Sequence, residues 1–278
     1  MGQQLKTVFF LGLMTGIFLL TGYVIGGEFG IIIAFVLALF MNLISYWFSD
    51  KIVLKMYRAK EISRNENPEL HSMIEMLAQQ FEVPKPKVYL VENPSPNAFA
   101  TGRNPANAAI AVTTGLLKLL NTEELRGVLA HEFAHIKNRD ILISTVAAVI
   151  AGAIGMLAFF ARIAMWGGSS RDRGNIVSLI LVAIMIPIIA VIVRLAISRS
   201  REYLADETAA KTIHSHIGLA NALQKLQYGT KKIPMHNANE GTAHMFIANP
   251  FGKTGFMELF STHPPMEKRI ERLRNVSM

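Results

Sequence analysis

The sequence predicts a mainly α membrane protein, with four transmembrane helices in two hairpins and an α+β domain outside the bilayer. Three observations predict it. Of 278 residues, 51% are hydrophobic and only 17% charged, too apolar a balance for an ordinary soluble domain. The excess is gathered in four runs, 8–25, 29–48, 141–161 and 176–193, each near the ~20 residues that cross a hydrocarbon core of ~30 Å. The segments between and after these pairs carry helix-period and strand-period patterns, and one of them holds His131-Glu132-Phe133-Ala134-His135.

Taken in order, residues 1–50 form the first hairpin, with its turn at Gly26-Gly27-Glu28. Asn42 and Ser45 in the second span read as interhelical hydrogen-bonding groups. Residues 51–67 read as a charged linker ending in Asn67-Pro68, a cap followed by proline at the first helical position. An amphipathic helix then runs from Pro68 to about Phe81, and Lys87–Val91 reads as a strand. Two short strands follow, 97–101 and 108–113, separated by a loop around Gly102-Arg103-Asn104-Pro105. The small alternating side chains of the first suit an edge strand, either pairing with an extended peptide or simply packed on the next helix. Asn121 or Thr122 caps that helix, with Glu123 and Glu124 in its first turn. It reads as running without a breaker into the third span, just as the fourth span runs into Arg199–Asp206. From about residue 212 the chain reads as polar and irregular, closing on a basic helix from Met266 to about Arg274. The organisation is therefore 1–50 and 141–193 as membrane hairpins, with 51–140 and 194–278 as two halves of one domain.

Net charge is +8, but Lys and Arg form no single stripe, so nucleic-acid binding is not indicated. They concentrate instead in 51–140 and 194–278, which the positive-inside rule places in the cytoplasm together with both termini. Lys51, Lys55, Arg58 and Lys60 follow the second span closely; Arg171 and Arg173, between spans three and four, oppose this orientation. No span carries an acid or base at its centre, so a proton or ion pathway is not supported. Cysteine is absent, which removes disulfides, thiolate metal ligands and a thiol nucleophile, as suits a reducing compartment.

On a helix, residues i and i+4 share a face, so His131 and His135 can direct ring nitrogens at one metal ion. Glu132 projects beside them as a general base for a water on that metal. A catalytic zinc usually takes three protein ligands and keeps one position for water. Glu202 and Asp206 lie on one face of the helix leaving span four, so Glu202 can be the third ligand and Asp206 the carboxylate that fixes a His ring. Helical rise places His135 about 9 Å before span three and Glu202 about 13 Å after span four. If the two spans are antiparallel neighbours, the ligands meet just off the membrane, around one zinc ion per chain.

The segments His131–Asp140, Ser200–Asp206 and Ser261-Thr262-His263-Pro264-Pro265 together resemble the HtpX group of membrane zinc metalloproteases, which belongs with the Ste24 CAAX prenyl proteases in one gluzincin family. The resemblance covers nearly the whole chain. It implies zinc, a cytoplasm-facing site in the cell membrane, and cleavage of membrane or misfolded proteins. It also implies that Asn97 holds the substrate backbone, with Phe99 beside it on the same strand, and that His263 and Arg269 stand near the scissile bond, where either can stabilise an oxyanion.

Two other readings stay open: a prenyl-protein peptidase, and a metal-binding membrane scaffold without turnover. Gly252-Lys253-Thr254 resembles the end of a phosphate-binding loop, but Ile247 stands where its first glycine belongs, so no nucleotide is expected. His214, His216, His236 and His244 read as polar surface residues. The Met and Phe residues between Met235 and Phe260 suit either a substrate cleft or loop packing.

Overall fold

The computed structural model describes residues 3–149, 199–235, 240–248 and 264–276. Helix α1 (Gln3–Met56) is apolar on nearly every face, so its own polarity does not fix where it turns. Gly27 does. At φ +58 it adopts a left-handed conformation open to glycine, and the chain folds back. A Cβ on Gly22 would lie 2.4 Å from the carbonyl oxygen of Gly30. Asn42 Nδ2 donates to Thr15 Oγ1 at 2.9 Å although 27 residues separate them, a span of about 40 Å along a straight helix. The chain therefore reverses at Gly27, with Asn42 bridging the two arms.

Among the described residues one helix, Gly27–Met56, is long and apolar enough to cross a membrane. Its outward face is large and apolar, with Phe29 72% and Phe40 61% exposed. The third expected span begins as helix α5 (141–149), while its remainder and the whole of the fourth lie outside the described residues.

The expected charged linker is shorter than 51–67, because α1 continues to Met56 and β1 (Lys60–Glu61) follows. Helix α2 (Pro68–Gln80) starts where Asn67 accepts from the Leu70 N–H at 3.1 Å. Strands β2 (Lys87–Val91), β3 (Ala98–Gly102) and β4 (Ala108–Thr113) complete a sheet of order β1-β2-β4-β3. β2 runs parallel to β4, and β3 runs antiparallel with Phe99 opposite Ala111. This leaves β3 at an edge beside helix α4.

After the short α3 (Thr114–Leu119) comes α4 (Thr122–Lys137). Asn121 caps it in a reciprocal box with Glu124, each bond 2.9 Å. Val128, Leu129, Phe133 and Ile136 are fully buried in the main core. α4 does not run on into the third span. Asn138 ends it and Arg139 takes φ +58. The Asp140 N–H bonds His135 O at 2.9 Å and the Arg139 N–H bonds Ile136 O at 3.1 Å, the paired bonds of a Schellman stop. The polar run Lys137-Asn138-Arg139-Asp140 has no apolar face to hold a straight helix against the core, and it closes on itself instead.

Helix α6 (Arg199–Ile213) crosses α4. The expected irregular stretch after 212 is in fact helix α7 (Ile217–Lys232), whose Leu219, Ala222, Leu223 and Leu226 keep a helical period and are fully buried. α7 lies very close to α4. A Cβ on Gly127 would stand 2.4 Å from Leu219 N, and one on Gly218 would stand 2.4 Å from Glu123 O. Lys225 Nζ reaches Glu124 Oε2 at 2.7 Å across the same contact. Helix α8 (Met266–Arg274) packs on α6 and α7. A second apolar cluster joins the end of α1 (Val53, Leu54) and Tyr57 to Phe99, Ala111, Met245 and Phe246.

Gly127→Ala forces backbones apart where no flexible side chain can yield, so it should cost about 1–3 kcal/mol. A thermal melt in detergent should fall by several degrees, and an unchanged melt would refute the close α4–α7 contact.

Candidate active site

His131 and His135 stand one turn apart on the buried face of α4, and Glu202 reaches them from the first turn of α6. His131 Nε2 lies 3.2 Å from His135 Nε2, and both nitrogens lie 3.6 Å from Glu202 oxygens. Donors around a tetrahedral ion at 2.0–2.1 Å are separated by about 3.3 Å. The three side chains, all within 4.8 Å of one another, therefore match one four-coordinate metal ion with a position left over.

Each histidine is held from behind by a carboxylate. His131 Nδ1 is 2.9 Å from Asp206 Oδ1, and His135 Nδ1 is 3.4 Å from Asp140 Oδ2. Such partners fix ring orientation and leave Nε2 as the metal-facing atom. Asp206 is itself gripped by Arg269, through Nε at 2.8 Å and Nη2 at 2.7 Å. Arg201 stands behind Asp140 at 3.8 Å. Among the described residues of the site, four carboxylates, from Glu132, Glu202, Asp206 and Asp140, are buried with two guanidiniums, those of Arg269 and Arg201. With both histidines neutral, as metal ligation requires, the excess of two negative charges is what a divalent cation would balance.

Burial works against a charge on His131, but the Asp206 and Glu202 carboxylates outweigh it and push its pKa up to about 9. Burial also raises Glu132, against the two histidines and the Ala100 N–H that its carboxylate accepts. Asp206 sits below the usual carboxylate range, since Arg269 and His131 overcome its burial. Arg269 is raised in turn, its burial outweighed chiefly by Asp206.

The remaining expected residues fall as follows. Asn97 is fully buried at the start of β3, where its Nδ2 donates to Ala248 O at 2.9 Å. Phe99 packs between Tyr57 and Phe246, ring centroids 5.7 and 5.4 Å away. Arg269 is committed to Asp206 and to Ile247 O, at 3.2 Å for the latter. His263 lies outside the described residues. His244 is not a surface histidine: it is 4% exposed, lines the metal cleft, and its Nε2 donates to Ser144 O at 2.9 Å. The sequence reading also missed Asp140 and Arg201. Asp140 falls five residues after His135, a spacing with no helical meaning until the stop at Arg139 bends the chain back.

A metal-binding HExxH helix crossed by a glutamate-bearing helix, beside a small mixed sheet, defines a metallopeptidase. The model of peptidase family M48 matches residues 64–277, and the chain belongs to that family. It is 56% identical to the protease HtpX homolog of Pyrococcus furiosus, over 100% of this chain and 97% of that one. The protease HtpX homolog of Aquifex aeolicus is 54% identical over 93% of this chain and 88% of its own length. Among solved structures, S. mikatae Ste24p matches 94% of this chain and 62% of that chain, with a TM-score of 0.51 at 18% identity, a likeness of fold. The protein is a membrane metalloprotease.

A metal must displace the proton that His131 holds. The raised pKa stabilises the metal-free fold below the ordinary histidine range near 6.5, and that contribution is lost as pH rises through about 9. Zinc affinity should therefore climb with pH by about tenfold per unit between pH 6.5 and 8.5, with about one proton released per ion at pH 7. Titration calorimetry in buffers of different ionisation enthalpy reads both, and a pH-independent affinity would refute the charged His131.

Proposed function

We propose that this protein is a zinc-dependent endopeptidase of the cell membrane, cleaving misfolded or membrane proteins at a cytoplasm-facing site in protein quality control. The spans are four, at 8–25, 29–48, 141–161 and 176–193, with both termini in the cytoplasm. His131, His135 and Glu202 hold the metal, which when bound supplies Lewis-acid polarisation of a carbonyl and a lowered pKa for water.

The observation that carries this reading is the placement of Glu132. It is a buried carboxylate next in sequence to a metal-binding histidine, lining the same cleft but outside the group His131, His135 and Glu202. A scaffold that only stored metal would have no use for a base there. Glu132 takes a proton from the attacking water and returns it to the departing amine. Burial holds its pKa above the ordinary carboxylate range, which strengthens it as a base. Asp206 and Asp140 keep the rings of His131 and His135 turned to the metal, and Arg269 acts through Asp206 as a positioning residue. Asn97 directly precedes, and Phe99 lies on, the edge strand β3 that would hold the substrate backbone.

Detergent-purified protein should degrade an unfolded protein with zinc and stop with a chelator. Glu132→Gln should keep its metal and lose about 10²–10⁴ in rate, whereas Glu202→Ala should lose the metal. Full activity in the first or full metal content in the second would remove those roles.

Topology has its own test, because the chain has no cysteine. A cysteine placed at Glu28 should react with an impermeant maleimide from outside the cell, and one placed at Lys232 only after lysis. Labelling of both from one side would overturn the orientation.

A further inference from the structure

Ala98 and Ala100 present their peptide groups to the free edge of β3, since alternate residues of a strand face the same side. Ala100 lines the same cleft as Glu132. At Ala98 the carbonyl accepts from the Ile247 N–H at 3.2 Å. One pleat repeat of about 7 Å separates the two positions, so a chain bonded at Ala98 lies within two residues of Glu132.

Two consecutive residues of the segment Thr242–Ala248 have both main-chain groups captured. The Ile247 carbonyl accepts from Arg269 Nη1 at 3.2 Å, beside its N–H bond to Ala98. The Ala248 carbonyl accepts from Asn97 Nδ2 at 2.9 Å, and its N–H donates to Asn97 Oδ1 at 3.3 Å. Main-chain capture at a sheet edge is how extended peptides are held regardless of their sequence. The Phe246 ring fills a pocket made by Tyr57 and Phe99, with centroids 5.0 and 5.4 Å away. The Tyr57 hydroxyl hydrogen-bonds Thr242. With this segment in place the metal cleft encloses about 30 Å³, room for one or two waters and none for a peptide.

We propose that Phe246–Ala248 occupies the substrate site as a built-in peptide mimic, and that the substrate is an unfolded chain that replaces it at Ala98 and Asn97 with an aromatic or large apolar side chain in the Tyr57–Phe99 pocket. This rests on the reading of the site as a peptidase. Tyr57 is then a specificity-determining residue, supplied from the end of the membrane hairpin rather than from the catalytic helices.

The test uses the full chain carrying Glu132→Gln, so that binding is read without turnover. The probe is a fluorescein-labelled peptide, Thr-Ala-His-Met-Phe-Ile-Ala, with a second in which Ala replaces Phe. By anisotropy, Phe246→Ala in the protein should tighten binding of the first peptide by about tenfold or more, because the competing segment is loosened. In that protein, changing the peptide's Phe to Ala should weaken binding by about tenfold, and adding Tyr57→Ala should erase the difference. Binding that ignores Phe246→Ala overturns the mimic, and discrimination that survives Tyr57→Ala overturns the pocket.

A second variant covers a poorly folded Phe246→Ala. Ala98→Cys with Ile247→Cys, in a chain otherwise free of cysteine, puts thiols on two residues joined by a main-chain hydrogen bond of 3.2 Å. Oxidation, followed by gel mobility, should abolish cleavage of an unfolded protein, and a reductant should restore it. A crosslinked protein that still cleaves overturns the proposal. Peptide binding as expected, with no cleavage by the wild-type chain, would sink the peptidase reading and leave the peptide site standing.

Discussion

The buried carboxylate of Asp206 joins three helices at one point. It comes from α6, accepts two bonds from Arg269 on α8 at 2.7 and 2.8 Å, and lies 2.9 Å from Nδ1 of His131 on α4. A buried carboxylate is costly unless its oxygens are well satisfied, and breaking such a pair on one side leaves the other charge stranded. The bidentate guanidinium both stabilises the Asp206 charge and fixes its direction. Asp206 in turn fixes which His131 nitrogen faces the metal. The geometry of the metal-binding group is therefore set by a chain of charges running from Arg269 on α8 through Asp206 on α6 to His131 on α4.

The second histidine is held by a different device. The α4 helix ends three residues after His135, and the Schellman stop returns Asp140 to the His135 ring. Had the helix run straight on, Asp140 would stand beyond one further turn and His135 would lack its partner. The break thus serves two ends: it completes the support of the site, and it sets the direction in which the chain leaves for α5. A helix end is often read as mere termination, but here it is part of the site.

Much of the site was legible because its key pairs are local. His131 and His135, and Glu202 and Asp206, are each four residues apart on a helix, so one period predicts that each pair shares a face. The two glycines before Glu28 marked the chain reversal for the same reason, since a reversal needs a left-handed residue somewhere between two apolar runs. Helix α7 escaped because its glycines, polar residues and flanking histidines masked a buried stripe of Leu219, Leu223 and Leu226. His244 and Arg201 escaped because their partners lie far along the chain: His244 bonds Ser144, a hundred positions away, and Arg201 faces Asp140. Asp140 escaped because its five-residue spacing from His135 has no helical meaning without the stop at Arg139.

The sequence by itself determined the groups available for chemistry: two histidines and a glutamate on one turn, a carboxylate pair on another, and apolar runs too long for a soluble core. These follow from side-chain identity and the fixed period of a helix, which need no knowledge of distant residues. Only the tertiary structure decided how that chemistry is supported and covered. The clasp of Arg269 on Asp206 and the segment Thr242–Ala248 lying on β3 each depend on burial and on hydrogen bonds between parts of the chain far apart in sequence. Such contacts are selected by packing of the whole molecule, and no local pattern encodes them.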